Sequence, residues 1–123
     1  MREGDVVLTP VPQADGVVKN RPKIVLREMP PHQDLLVCGV STRLQQRVIG
    51  FDELMSRNDA DFGPSGLVHE SLIRLGFLAV LPSSRIIGAI GSISPERHRR
   101  LLSTLGDYLT RDLPGQANKK AEQ

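Results

Sequence analysis

Short apolar runs separated by prolines and glycines most restrict what this chain can fold into. Nine prolines and eleven glycines occur among 123 residues, and they divide the stretches rich in Val, Ile and Leu into short pieces. Such runs, bounded by turn-forming residues, are typical of β-strands. We therefore predict a mainly β domain with helices, of the α+β class, in which about five or six strands form a small, strongly bent antiparallel sheet. The predicted strands are Asp5 to Thr9, Lys23 to Arg27, Leu35 to Val40, Ser71 to Leu81 and Ile86 to Ile93.

The segments between these runs predict turns. Residues 11–20 combine proline, aspartate and glycine in a polar stretch, so we predict a loop there, and residues 29–34 predict a second turn. Gly76 interrupts the run 71–81, which predicts a bulge or a sharp bend within that strand. The run 86–93 is also broken by glycine, and we expect it to cover an edge of the sheet.

Two segments have the periodicity of helices. Phe51, Leu54 and Met55 lie at i, i+3 and i+4, which predicts a two-turn helix that caps the sheet, followed by a linker over 58–66. A longer helix is predicted after Ser94, which is suited to cap it, and to end near Pro114-Gly115. Its apolar stripe is Leu101, Leu102, Leu105, Tyr108 and Leu109. We expect this helix to pack on one face of the sheet, within a domain of residues 1–113 that precedes a disordered polar tail of residues 114–123.

Composition excludes several classes of protein. No apolar run approaches the roughly 20 residues that a membrane-spanning helix needs. The charged start of the chain is unlike a signal peptide, and the single Cys38 cannot form an internal disulfide. We therefore expect a cytoplasmic protein.

Positive charge is clustered rather than evenly spread. The formal net charge is only +2, with a sequence pI of about 9.0. The clusters are Lys19, Arg21, Lys23 and Arg27; Arg43 and Arg47; and Arg97, His98, Arg99 and Arg100. They indicate either a polyanionic partner or ordinary solvated faces, and the last cluster opposes the dipole of the predicted helix. Since only three Phe and one Tyr are present, any RNA binding should rely on phosphate contacts and hydrogen bonds rather than on stacking.

Common catalytic and metal sites are not apparent in the sequence. One cysteine and three scattered histidines offer no pair of zinc ligands, so we predict no metal and no cofactor. Cys38 lies within an apolar run and is interpreted as a buried thiol rather than a nucleophile. What remains is Arg21 before one strand and Ser41, Thr42 and Arg43 after another. Hydrolysis of RNA without a metal needs a base, positive charge for the phosphorane and a donor near the departing oxygen.

Several motifs resemble the PemK/MazF toxins, and the resemblance extends from Gly4 to Leu109. The most specific matches are Gly4-Asp5-Val6-Val7-Leu8, and Arg21-Pro22 followed by Ile24-Val25-Leu26, which resemble the family's first two strands. Leu36 to Ser41 resembles the third strand. Later matches are Ser71 to Leu75, Ser84-Arg85-Ile86, and Ile90 to Ser94 before the last helix.

The resemblance implies an SH3-like barrel and an mRNA-cleaving endoribonuclease of a type II toxin-antitoxin system. Family members act on single-stranded RNA without a metal, through attack by the 2′-hydroxyl, and form homodimers that a cognate antitoxin neutralises; their toxin-antitoxin complexes bind operator DNA. For this chain, the resemblance implies that Arg21 stabilises the phosphate and abstracts a proton, and that Ser41 donates a hydrogen bond toward the leaving oxygen. Lys19, Asn20, Thr42 and Arg43 would contact the RNA.

Two other functions remain open from the sequence. One is inhibition of gyrase, since the gyrase-inhibiting CcdB toxins resemble this fold but cut no nucleic acid. Fold alone therefore does not determine the function of this chain. A catalytically decayed homologue that still binds nucleic acid is the other alternative. Cleavage of a long RNA in the presence of EDTA would distinguish the nuclease from both.

Overall fold

The computed structural model describes residues 1–111 as a curled sheet with a helix packed on one face. The predicted tail at residues 114–123 lies outside the described residues. The strands are β1 (Asp5–Pro12), β2 (Val18–Met29), β3 (Asp34–Ser41), β4 (Glu53–Met55), β5 (Ser71–Leu81) and β6 (Gly88–Ser92), and the helices are α1 (Phe62–Ser65) and α2 (Pro95–Thr110). The strand order is β4-β5-β3-β2-β1-β6, with every neighbouring pair antiparallel. The predicted fold class is confirmed, and β6 lies at an edge as expected.

The predicted loop over residues 11–20 is wrong, because β1 and β2 form a hairpin that extends through most of it. Pro12 pairs with Val18, and only residues 13–17 make the turn, with Gly16 at a positive φ of 84°. On its other side, β1 pairs with β6 only as far as Leu8. Pro10 and Pro12 therefore have no neighbouring strand on that side, and their missing N–H groups remove no hydrogen bond of the sheet. As a result, Lys19 and Asn20 lie on a strand rather than in a loop.

The sheet has a buried cluster on each face. The larger one packs against α2, which contributes Leu101 and Leu105. From the sheet and its flanking segments it includes Val6, Ile24, Leu26, Cys38, Met55, Ile73, Leu75 and Ile93. The smaller one consists of Val7, Val25, Leu35 and Val37 with Ile86. Among residues 1–111, no helix is long and apolar enough to span a membrane.

Helix α2 begins as predicted but its apolar stripe is only partly buried. The Ser94 hydroxyl accepts a hydrogen bond from the Arg97 amide, and proline occupies the first turn. The helix ends at Thr110, earlier than predicted, and Tyr108 and Leu109 are 54% and 64% exposed. The ring of Tyr108 instead lies 5.2 Å from that of Phe51 at the margin of the core.

The predicted helix around residues 51–57 is wrong, since this segment contains a turn and β4. Leu54 pairs with Leu72 of β5, and Met55 is fully buried. The buried carboxylate of Asp52 accepts hydrogen bonds from the Val48 and Leu75 amides, which stabilises the turn. In the predicted linker, residues 62–65 form the short helix α1.

The irregularity predicted at Gly76 is confirmed. The register of β3 and β5 shifts so that Cys38 faces Leu78 while the next residue, Gly39, faces Arg74. A Cβ on Gly39 would lie 3.1 Å from the Cβ of Phe77, so this crowded point of the sheet favours glycine.

Candidate active site

The two predicted catalytic residues lie at the same end of neighbouring strands. The last paired residues of β2 and β3 are Lys23 and Gly39, and Arg21 and Ser41 each lie two residues beyond them. Side chains alternate between the faces of a sheet, and paired residues share a face. The backbone register therefore places Arg21 and Ser41 on one face, together with Lys23.

Ser41 is held in a defined position at the end of β3. Its Oγ accepts a hydrogen bond of 3.0 Å from the Arg43 amide. A hydroxyl has one proton and two lone pairs, so this contact leaves the proton available for donation. Thr42 and Arg43, predicted to contact RNA, follow immediately and have exposed side chains.

Arg21 is exposed and its guanidinium has no anionic partner in the described part of the chain. Its Nη2 lies 3.4 Å from Oε1 of Gln13, a neutral acceptor in the hairpin turn. The side-chain Nε2 of Gln13 in turn donates a hydrogen bond to the Val11 carbonyl at 3.1 Å. No ion pair to Arg21 occurs among residues 1–111. Gln13 could not be predicted from the sequence, because only the hairpin brings it close to Arg21 on β2.

Lys23 is a second cation on this face, and the sequence did not assign it to the site. Its Nζ donates to Oγ1 of Thr9 at 3.2 Å, and Thr9, only 3% exposed, donates to the Arg21 carbonyl at 3.4 Å. Burial, together with the charge of Arg21, lowers the pKa of Lys23. An ammonium that is partly withdrawn from water and close to another cation is destabilised, which accounts for the direction.

The remaining predicted RNA contacts are divided between the two faces of the hairpin. Lys19 pairs with Val11 and Asn20 pairs with Pro10, and both side chains are exposed. By the alternation of side chains, Lys19 lies on the Arg21 face and Asn20 on the opposite one.

A further arginine, Arg74 of β5, pairs with Gly39 of β3. Its guanidinium lies 4.1 Å from the centre of the Phe77 ring.

The sequence matches one family of known proteins over almost its whole length. The profile of the family described as PemK-like, MazF-like toxin of type II toxin-antitoxin system covers residues 2–109. The chain belongs to this toxin family. The prediction from the sequence motifs is thus confirmed, and no curated protein matches the toxin in a direct comparison.

Solved structures of similar shape support the fold of the toxin. An endoribonuclease from a mycobacterial species, in complex with its cognate antitoxin, is 15% identical, covers 93% of this chain and 99% of its own, and has a TM-score of 0.63. A second mycobacterial endoribonuclease is 14% identical, with coverages of 93% and 95% and a TM-score of 0.63. The Mycobacterium tuberculosis toxin MazF-mt6 is 17% identical, with coverages of 89% and 99% and a TM-score of 0.62. At these identities the likeness establishes the shared fold.

The sequence had left open that the basic cluster Arg97 to Arg100, at the start of α2, faces a polyanionic partner. In the structure, most of these side chains instead make contacts within the fold. Arg97 is buried and forms ion pairs with Asp61 at 2.8 Å and with Glu53 and Asp59 at 2.9 Å each. Arg100 also pairs with Glu53, at 3.1 Å. His98 contacts the Leu26 carbonyl through Nε2 at 2.8 Å, and within the cluster only Arg99 is exposed without such a contact in the described residues.

The ion pairs and hydrogen bonds around Arg97 favour the ionised form of the Asp61 carboxylate. Burial raises the pKa of Asp61, but hydrogen bonds from the Arg97 guanidinium and the Ser94 amide outweigh it, so that the pKa is lowered overall. The carboxylate thereby connects the start of α2 to the segment before α1. The network is structural, since it joins distant parts of the toxin and leaves no charge of Arg97 for RNA.

Cys38 is fully buried, as predicted, and plays no part in the site. Burial raises the pKa of its thiol to about 12, so the reactive thiolate is strongly disfavoured. Among residues 1–111, no three His, Cys, Asp or Glu side chains lie close enough together to hold a metal ion.

Proposed function

We propose that this toxin is a metal-independent endoribonuclease that cleaves single-stranded RNA, including mRNA, through attack by a 2′-hydroxyl. The observation that carries the proposal is the placement of Arg21 and Ser41 at one end and on one face of neighbouring strands. Family membership and the endoribonucleases of the same fold lend it further support.

In the proposed reaction, the 2′-oxygen of one nucleotide attacks the adjacent phosphorus, and the bond from phosphorus to the 5′-oxygen breaks. The products are a 2′,3′-cyclic phosphate and a free 5′-hydroxyl. Arg21 stabilises the additional negative charge of the phosphorane, a role for which its fixed donors and permanent charge are suited. Ser41 donates a hydrogen bond toward the departing 5′-oxygen and keeps its own proton. The 2′-hydroxyl loses one proton and the 5′-oxygen takes up one, so the reaction has no net change in protons.

The family resemblance also implies that Arg21 abstracts the proton of the 2′-hydroxyl, which requires more than charge stabilisation does. A guanidinium keeps its proton in proteins, so it is a weak base unless the substrate changes its surroundings. Charge stabilisation needs no such change. We therefore assign Arg21 first to the phosphate, and keep proton abstraction as a prediction.

We also propose the partners expected of a type II toxin: a cognate antitoxin, a second copy of the chain, and operator DNA bound by the toxin-antitoxin complex in the cytoplasm. The fold neighbour described in complex with its cognate antitoxin supports the first of these. Exposed apolar side chains on β5, namely Phe77, Leu78 and Val80, support burial of this strand against another protein surface.

The test is to incubate the toxin with a long RNA in excess EDTA. The wild type should cut, whereas Arg21→Ala and Ser41→Ala should each abolish cleavage while the circular dichroism spectrum stays unchanged. Ser103→Ala, on α2 and away from the site, serves as the matched control for loss of an exposed hydroxyl and should cleave like the wild type. Wild-type cleavage rates in Arg21→Ala and Ser41→Ala would refute the assignment of the site. Uncut RNA with the wild type would refute the nuclease and leave a gyrase inhibitor or a non-cleaving RNA binder.

A further inference from the structure

A small pocket lies beside the candidate active site, where β1, β2 and β5 approach one another. Its volume is about 140 Å³. Its polar lining consists of Thr9, Lys23 and Arg85, and apolar walls come from residues that include Pro10 and Leu81. The pocket is thus small, mostly apolar, and charged at only two positions.

Both charged side chains of the pocket are cations. Its lining contains no carboxylate, and neither Lys23 nor Arg85 forms an ion pair among residues 1–111. The neutral Thr9 hydroxyl is the hydrogen-bond partner of the Lys23 ammonium. A partly buried cation is normally balanced by an anion, because removal from water is otherwise unfavourable. The arrangement is therefore electrostatically incomplete without an anion.

The pocket adjoins Arg21 through a short chain of contacts. Thr9 is the cross-strand partner of Arg21, and its side chain links the Lys23 ammonium to the Arg21 carbonyl. The charge of Arg21 is also the second cause, after burial, of the lowered pKa of Lys23. A polyanion bound at Arg21 would therefore have its neighbouring charges near this pocket.

We propose that the pocket lined by Thr9, Lys23 and Arg85 binds a phosphate of the RNA next to the one that is cleaved. This inference rests on the proposed function. The ammonium offers three donors, the guanidinium a planar fork, and phosphate oxygens accept both. Apolar walls hold water away from the ion pair and so strengthen its attraction. Because the contact is to a phosphate, it adds affinity and position but no sequence preference.

The test measures binding of the full chain to a fluorescent 2′-O-methyl RNA of mixed sequence, which lacks the attacking hydroxyl and cannot be cut. Kd is measured over a range of salt concentrations for the wild type, Lys23→Met, Lys23→Arg and Arg85→Met. Each phosphate contact to single-stranded RNA contributes about 0.7 to the slope of log K against log salt. Lys23→Met should therefore flatten the slope by about 0.7 and weaken binding roughly fivefold at 0.1 M salt. Lys23→Arg should keep the wild-type slope.

The matched control is Arg99→Met, which removes one exposed positive charge from α2, far along the chain from the pocket. It should leave both the slope and Kd nearly unchanged. Arg85 is exposed, so Arg85→Met should fold normally and should also flatten the slope. If Lys23→Met and Arg85→Met behave like Arg99→Met, the proposal is overturned. It is equally overturned if Lys23→Arg loses the slope, because a phosphate contact requires only the charge.

A second measurement separates RNA phosphate from free phosphate. Titration of inorganic phosphate should shift the backbone amide resonances of Thr9 and Lys23 in the wild type and not in Lys23→Met. Shifts without any change in the RNA slope would show that the pocket takes only the free ion, which contradicts the proposal. A wild type that binds the 2′-O-methyl RNA through Lys23 but leaves natural RNA uncut would instead refute the nuclease alone.

Discussion

Replacing Arg97 with methionine is expected to destabilise the toxin strongly, because it leaves a buried carboxylate without its cation. The side chain of Arg97 is 7% exposed, and that of Asp61 is 8% exposed. Two hydrogen bonds join them, from Nε at 2.8 Å and from Nη2 at 3.1 Å. Methionine fills much of the space of the arginine stem, so the variant tests the loss of charge more than the loss of packing.

The size of the effect follows from how much of each carboxylate reaches water. Glu53 and Asp59 are 19% and 36% exposed and can be hydrated again, whereas Asp61 cannot without local opening. Removing one partner of a buried ion pair costs about 3–5 kcal/mol. Because only the carboxylate of Asp61 is left buried without a cation, we expect a loss at the lower end of this range, about 3 kcal/mol. For a domain of this size that corresponds to a fall in Tm of about 12 °C.

Thermal and urea denaturation followed by circular dichroism measure the effect. Arg100→Met is the control, since that side chain is 56% exposed and pairs with the same Glu53, and it should cost less than about 1 kcal/mol. The double variant Arg97→Met/Asp61→Asn should recover part of the loss, because an amide needs no cation. An Arg97→Met variant as stable as Arg100→Met, or a double variant no more stable than Arg97→Met, would refute the argument from buried charge.

Three further outcomes are expected. The pKa of Asp61 lies below its ordinary value of 3.8, so the ionised carboxylate stabilises the fold above that pH and this contribution is lost as pH falls through the lowered pKa. Urea denaturation should therefore show a steeper loss of stability below about pH 3.8 in the wild type than in Asp61→Asn. Gly66→Ala should cost at least about 1–2 kcal/mol, because Gly66 has a φ of +75° and a Cβ would clash with the Ile90 carbonyl, while Gly63→Ala, with open space around it, should be nearly neutral in the same assay. The Cys38 thiol should resist alkylation at mildly alkaline pH in the native toxin and react once urea unfolds it; rapid native alkylation would contradict its burial.

The sequence predicted the sheet well because alternation and turn residues act locally. β3 and β5 were found nearly to their ends, since both are apolar runs bounded by turn signals. The extension of β1 and β2 was missed because their outer halves are polar and contain prolines, and only pairing between the two strands stabilises them. Around Phe51, three apolar positions fit a helix as well as a strand, and pairing with β5 decides between them.

The candidate site was predictable only in part for the same reason. Arg21 and Ser41 were found through motifs, and the register of β2 and β3 explains why two residues so far apart in sequence share one face. Lys23 was recognised only as a member of a basic cluster and not as part of the site, because Thr9 and Arg85, which define its surroundings, come from other parts of the chain. The burial of Arg97 was equally hidden, since its carboxylate partners lie 36 to 44 residues away.

Two groups of cations in this toxin therefore have different physical roles, and they should be separable by experiment. Arg97 and Arg100 are neutralised by carboxylates within the fold, so their removal should change stability more than RNA affinity. On the opposite face of the sheet, Arg21 and Lys23 have no carboxylate partner among residues 1–111, so an incoming anion meets their full charge. Loss of Lys23 should then change RNA affinity more than stability. The net charge of +2 conceals this division, because it does not show that Glu53, Asp59 and Asp61 are paired with Arg97 and Arg100 rather than with Arg21 or Lys23.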